Sequence, residues 1–85
     1  MMLQPVELKT PIKTPNGEIK TITLMREPTR RDLKQAQQIT TDEEEQVWHM
    51  ICALSDEKLT IEDTDALTLA DVRQVMEMFR SVAGI

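Results

Sequence analysis

Apolar and polar residues alternate between positions 6 and 13. Val6, Leu8 and Ile12 share one face, and Glu7, Lys9 and Lys13 share the other. A period of two predicts a half-buried β-strand. Pro11 has no N–H to give to a ladder, which places the strand at an edge. Thr14-Pro15-Asn16-Gly17 predicts a turn, because Pro sets one torsion and Asn-Gly accepts positive φ. Alternation resumes over residues 18–25, with Ile22 and Leu24 opposite Thr21 and Thr23, and predicts the return strand of a hairpin.

Beyond Pro28 the pattern changes to a helical period. At the expected helix starts a Thr is followed three positions later by an acid: Thr29/Asp32, Thr41/Glu44, Thr60/Asp63 and Thr68/Asp71. In such a box the hydroxyl accepts from a first-turn N–H, the carboxylate answers toward the cap, and its charge suits the positive end of the helix. Pro28 before the first box is placed to pack on Leu33. A short helix is predicted over residues 30–38, with Leu33 and Ala36 as its apolar stripe. A second is predicted over 42–54; its end, Val47 to Leu54, is apolar nearly all round and reads as the most buried element. A turn of helix is expected over 61–66. The last helix is expected over 69–83, with a seam of Leu69, Val72, Met76, Phe79 and Ala83 broadened by Val75 and Val82, and Gly84 as its stop.

These elements define an α+β chain: an N-terminal two-stranded antiparallel hairpin (6–25), then a small bundle of three to four helices (29–83). Without a linker, repeat or low-complexity tract, residues 1–85 read as a single domain. A lone hairpin is marginal in water, so this one must pack on helices or gain strands from another copy. Self-association through the hairpin edges or the last helix is the corresponding expectation.

Composition narrows the chemistry. The chain has 85 residues, a net charge of −5, one Trp, one Phe and no Tyr, so its core must be aliphatic and methionine-rich. The single Cys52 cannot form an internal disulfide. No apolar run approaches the roughly 20 residues needed to span a bilayer, and no secretory leader is recognisable, so the cytoplasm is the expected location. Charge is unevenly divided: residues 1–34 carry +3 and residues 35–85 carry −8. A net-acidic chain is a poor nucleic-acid ligand. The cluster Lys20, Arg26, Arg30, Arg31 and Lys34 is the local exception.

No catalytic or cofactor constellation stands out. His49 and Cys52 share a helical face, but zinc needs two further ligands and no second His or Cys exists. A Cys-His nucleophile has no orienting third group. Glu62-Asp63-Thr64-Asp65 lacks the glycine and oxygen spacing of a calcium loop, and Asp42 to Glu45 reads as a helix start. Met25, Met50, Met76 and Met78 serve either as core filler or as an adaptable apolar surface. The candidate surface for a client or a second copy is therefore on the last helix: Met76, Met78, Phe79 and Val82.

Two short patterns also carry a resemblance. Ile22-Thr23-Leu24, Arg26-Glu27-Pro28-Thr29 and Asp32-Leu33, together with Asp65 to Val72 and a following Phe79, resemble the tail assembly chaperones of contractile-tailed bacteriophages, including the Mu-like and P2-like short chaperones. The likeness covers about residues 6–83. It implies a non-enzymatic protein of the host bacterial cytoplasm. Such a protein binds the long, helical tape measure protein, keeps it soluble, is displaced as tail tube subunits polymerise, and is absent from the mature virion. It further implies that this chain is a short form with a frameshifted, extended counterpart. The competing reading is a small acidic regulatory adaptor that binds a host or phage protein.

Overall fold

The alternating N-terminal segment forms the expected hairpin. A computed structural model describes residues 5–15 and 17–84. Strand β1 (Val6–Thr14) pairs antiparallel with β2 (Gly17–Ile22). Gly17 has φ +123° and the Thr14 hydroxyl donates to its carbonyl at 2.8 Å, closing the turn; Asn16 lies outside the described residues. Leu8, Ile12 and Ile22 point into the core, as the alternation predicts.

The ladder is interrupted. Val6 and Glu7 pair with Ile22 and Thr21, but the next partners are Ile12 and Ile19, so three residues of β1 have no counterpart in β2. Pro11 sits in this bulge, where a missing N–H removes no ladder bond. The N–H groups of Lys9 and Thr10 turn away from β2. They donate to the two carboxylate oxygens of Asp71, at 2.8 and 3.0 Å.

The return strand is shorter than residues 18–25 suggest. Ile22 already faces Val6, so the following backbone groups have no β1 partner and find one elsewhere. Leu24 bridges Ser55, Met25 N–H donates to Leu54 at 2.9 Å, and Asp56 N–H donates to Thr23 at 2.8 Å. This pairing clamps the hairpin exit onto the end of the second helix and buries Leu24 completely.

Four helices follow: α1 (Arg30–Ile39), α2 (Glu43–Leu54), the single turn α3 (Ile61–Thr64) and α4 (Leu69–Ala83). At α3 the box is complete, with Asp63 N–H donating to Thr60 Oγ1 and Thr60 N–H to Asp63. At α2 the cap is Asp42 rather than Thr41; its carboxylate accepts from Glu45 N–H at 3.1 Å. The helix α3 stops before Ala66 because the N–H groups of residues 65–67 bond three positions back, tightening the path toward Thr68.

Two apolar stripes are rotated from their expected positions. On α4 the buried line is Asp71, Val75 and Phe79, while Leu69 is 78% exposed. The bond from Asp71 to the β1 bulge fixes which side of α4 faces inward, and Val75 rather than Val72 becomes its centre. On α1 the inward residues are Asp32 and Ala36, and Leu33 is 38% exposed. The helix α2 supplies the middle of the core with Trp48, Met50, Ile51 and Leu54. Around it pack Leu8, Ile12, Ile22, Leu24, Leu59, Leu67, Val75 and Phe79 in one cluster.

Lys58 closes the loop after α2 with φ +56°, a left-handed conformation that costs a residue with a Cβ about 1–2 kcal/mol. Lys58→Gly should therefore stabilise the fold by about 0.5–1 kcal/mol after glycine's own entropy loss. Urea melts of the Gly and Ala variants test this: Ala keeps the Cβ and should give no gain.

Candidate functional site

The helices α1 and α2 are joined by three residues, 40–42, and pack on each other. Gln46 Nε2 donates to the Thr40 carbonyl at 3.0 Å and Asp42 N–H to the Thr40 hydroxyl at 3.2 Å, fixing the turn. At the other end, Asp32 anchors the start of α1. Its carboxylate accepts from both terminal nitrogens of Arg26, at 2.7 and 2.9 Å, from Thr29 N–H at 2.7 Å and from the Thr29 hydroxyl at 3.1 Å. The Arg26 hydrogen bonds hold this carboxyl well below the usual carboxylate range; Thr29 adds to the effect and burial opposes it. A bidentate, charge-assisted pair of this kind fixes orientation as well as charge. With Asp32 and Ala36 turned inward, Leu33 on the neighbouring face of α1 is left beside open space.

That space is a groove of about 490 Å³. Pro28, Arg30, Leu33 and Gln37 form one side. Glu43, Gln46, Val47 and Met50 form the other, and Phe79 and Ala83 of α4 close it from below. Its middle is apolar. Arg30, Gln37 and Glu43 add charged and polar side chains to this lining. A second concavity of about 590 Å³, between the hairpin turn and α3, is lined mainly by Thr, Lys, Glu and Asp side chains and offers little apolar contact.

Of the four α4 positions singled out from the sequence, Phe79 lines the groove, as a deeply buried residue. Met76, Met78 and Val82 are half-buried against the core and do not line it. The groove's other apolar residues, Pro28, Leu33, Val47, Met50 and Ala83, come from α1 and the turn before it, from α2 and from α4. The one local signal for them is Leu33, which sits one position off the Asp32–Ala36 line.

The basic cluster does not form a single patch. Arg26 is committed to Asp32, and Lys20 lies 3.7 Å from Glu18 on the hairpin. Arg30, Arg31 and Lys34 share a separate shallow face of α1 with Gln35 and Gln38. Burial pushes the Cys52 thiol up to about 11, with Asp63 and Glu45 adding to the shift. It is therefore a protonated, unreactive thiol at neutral pH. Among the described residues no three His, Cys, Asp or Glu side chains stand close enough to hold a metal ion, and no helix is long and apolar enough to cross a membrane.

An apolar groove with charged side chains in its lining, on a small α+β scaffold, is equipment for holding another polypeptide. The family comparison agrees: a model described as phage tail assembly chaperone proteins, E, or 41 or 14, matches residues 5–84. The chain belongs to this family and has a chaperone role in tail assembly. No curated protein and no solved structure matches it.

Proposed function

We propose that this chaperone binds the tape measure protein and keeps it soluble until tail tube subunits assemble around it. The observation that carries this reading is the groove: a partly exposed Leu33 and a buried Phe79 line an apolar gap that none of the described residues fills. A long helical client exposes apolar stripes before the tube covers them, and a groove between helices is suited to one such stripe. The surplus of acidic side chains elsewhere keeps a client-bearing complex soluble. Within this reading the protein acts in the host cytoplasm as a short-form chaperone of the Mu-like and P2-like type and leaves before the virion is complete.

Co-expression tests it. The cognate tape measure protein should move from the pellet to the soluble fraction and co-purify with the chaperone. If the client remains insoluble with both the short form and any frameshifted extended form, the proposal fails.

A further inference from the structure

The first turn of α1 is charged against its own stability. A helix N-terminus is the positive end of the peptide dipoles, so acids are favoured there and cations disfavoured. The other helices conform, with Glu43, Glu44 and Glu45 opening α2, Glu62 and Asp63 opening α3, and Asp71 opening α4. On α1, Arg30 and Arg31 occupy the first two helical positions and Lys34 lies one turn on. The one acid of that turn, Asp32, is neutralised by Arg26. Among the described residues the ion pairs are Lys20–Glu18 and Arg26–Asp32, which leaves Arg30, Arg31 and Lys34 without an acidic partner. A local rule broken without a compensating contact marks a position kept for something outside the fold.

The basic strip adjoins the groove. Arg30 lines both the groove and the Arg31–Lys34 face, so the positive strip borders the α1 side of the groove where α1 begins. In a chain of net charge −5 this rim is the place where an acidic segment meets attraction rather than repulsion. The groove walls are helix side chains and present no sheet edge, so an occupant must satisfy its own backbone hydrogen bonds, which a helix does.

We propose that the groove takes an amphipathic helix with an acidic flank. Its apolar face lies on Leu33, Val47, Met50 and Phe79, and its carboxylates, spaced one turn apart, meet Arg30 and Lys34. This rests on the client-groove reading above and adds to it the charge and orientation of the bound segment.

The test uses overlapping peptides of about 20 residues tiled across the cognate tape measure protein, with binding read by fluorescence anisotropy. The proteins are wild type, the triple reversal Arg30→Glu/Arg31→Glu/Lys34→Glu, and Leu33→Asp. Bound peptides should be amphipathic and acidic. The triple reversal should weaken them by about tenfold or more at low salt and by less at high salt. Its melting temperature should hold or rise, because the reversal suits the helix dipole; a purely structural role for these cations predicts a fall. Exchanging the peptide's acids for lysine should restore binding to the triple variant. Peptides that bind the triple variant as well as wild type, or that are basic, overturn the proposal, and so does a DNA duplex that binds this strip while no peptide does. If Leu33→Asp alone abolishes binding, the acidic flank falls and the groove reading stands. If neither variant changes peptide binding, or no peptide binds, both fall.

Discussion

Asp71→Asn should lower the melting temperature by on the order of 10 °C or more. Asp71 is fully buried, 62 residues distant in sequence from the Lys9 amide that it receives at 2.8 Å, and it also receives Thr10 N–H at 3.0 Å. No β2 residue is in register to replace these bonds, because the bulge has moved the partner strand away. An Asn side chain keeps the volume but presents one NH₂ to an N–H donor, leaving two donors facing each other. The hairpin is marginal by itself, so detaching it from α4 affects the whole fold. Native-state hydrogen exchange supplies the residue-level check: the amides of Lys9 and Thr10 should lose most of their protection while those of α2 lose little beyond the global change. As a control, Asp63→Asn, at the solvent-exposed box of α3, should cost only a cap's worth, about 1 kcal/mol.

The pH dependence has a definite sign. The Lys9 N–H bond, then the Thr10 N–H and the Thr68 hydroxyl, hold the Asp71 carboxyl below its ordinary value against the opposing effect of burial, and Arg26 does the same more strongly for Asp32. A carboxyl depressed in the folded state contributes stability that is complete above the unfolded pKa, about 3.9, and is lost as pH falls through the folded value. The gap between wild type and Asp71→Asn should therefore stay constant around neutrality and narrow in acid. A gap that widens below pH 4 would show that the carboxylate is not what holds the bulge.

The same residue shows where reading the sequence stops. Thr68-x-x-Asp71 has the form of a capping box, and Thr68 does accept from Asp71 N–H, at 3.4 Å. The carboxylate, however, is taken by a bulge at the opposite end of the chain, and nothing local announces that bulge. The limits of α4 were legible because they are set locally, by Thr68 and by Gly84 at φ +77°. Its inward face was not, because a distant bond sets it. The return strand is a parallel case: alternation through Thr23, Leu24 and Met25 is real, but periodicity does not say whether the partner is β1 or Ser55. The α+β architecture follows from period and caps alone. The groove combines Pro28, Leu33, Val47, Met50 and Phe79, and it exists only once α1 has been turned by the inward pull of Asp32 and Ala36.

Leu33→Asp should abolish client recovery while leaving the fold intact. Leu33 is 38% exposed and lies outside the core cluster, and α1 is held from its other side by Asp32 and Ala36. The substitution costs at most about 0.7 kcal/mol of helix propensity, partly offset by a negative charge near the helix start. Thermal melts should therefore differ from wild type by no more than a few degrees. Binding is affected far more. A carboxylate facing Val47, Met50 and Phe79 must be stripped of water when an apolar helix face covers it, at a cost of several kcal/mol. A micromolar client is held by only about 8 kcal/mol in total, so affinity should fall by about a hundredfold or more. Leu33→Met should retain the client, because it preserves volume and apolarity. Ile39→Asp, at a residue 63% exposed on the same helix but outside the groove, should also retain it. The readout is the soluble, co-purifying fraction of the tape measure protein for each variant. Equal recovery with Leu33→Asp and wild type would move the client off this groove and onto the α4 surface of Met76, Met78 and Val82.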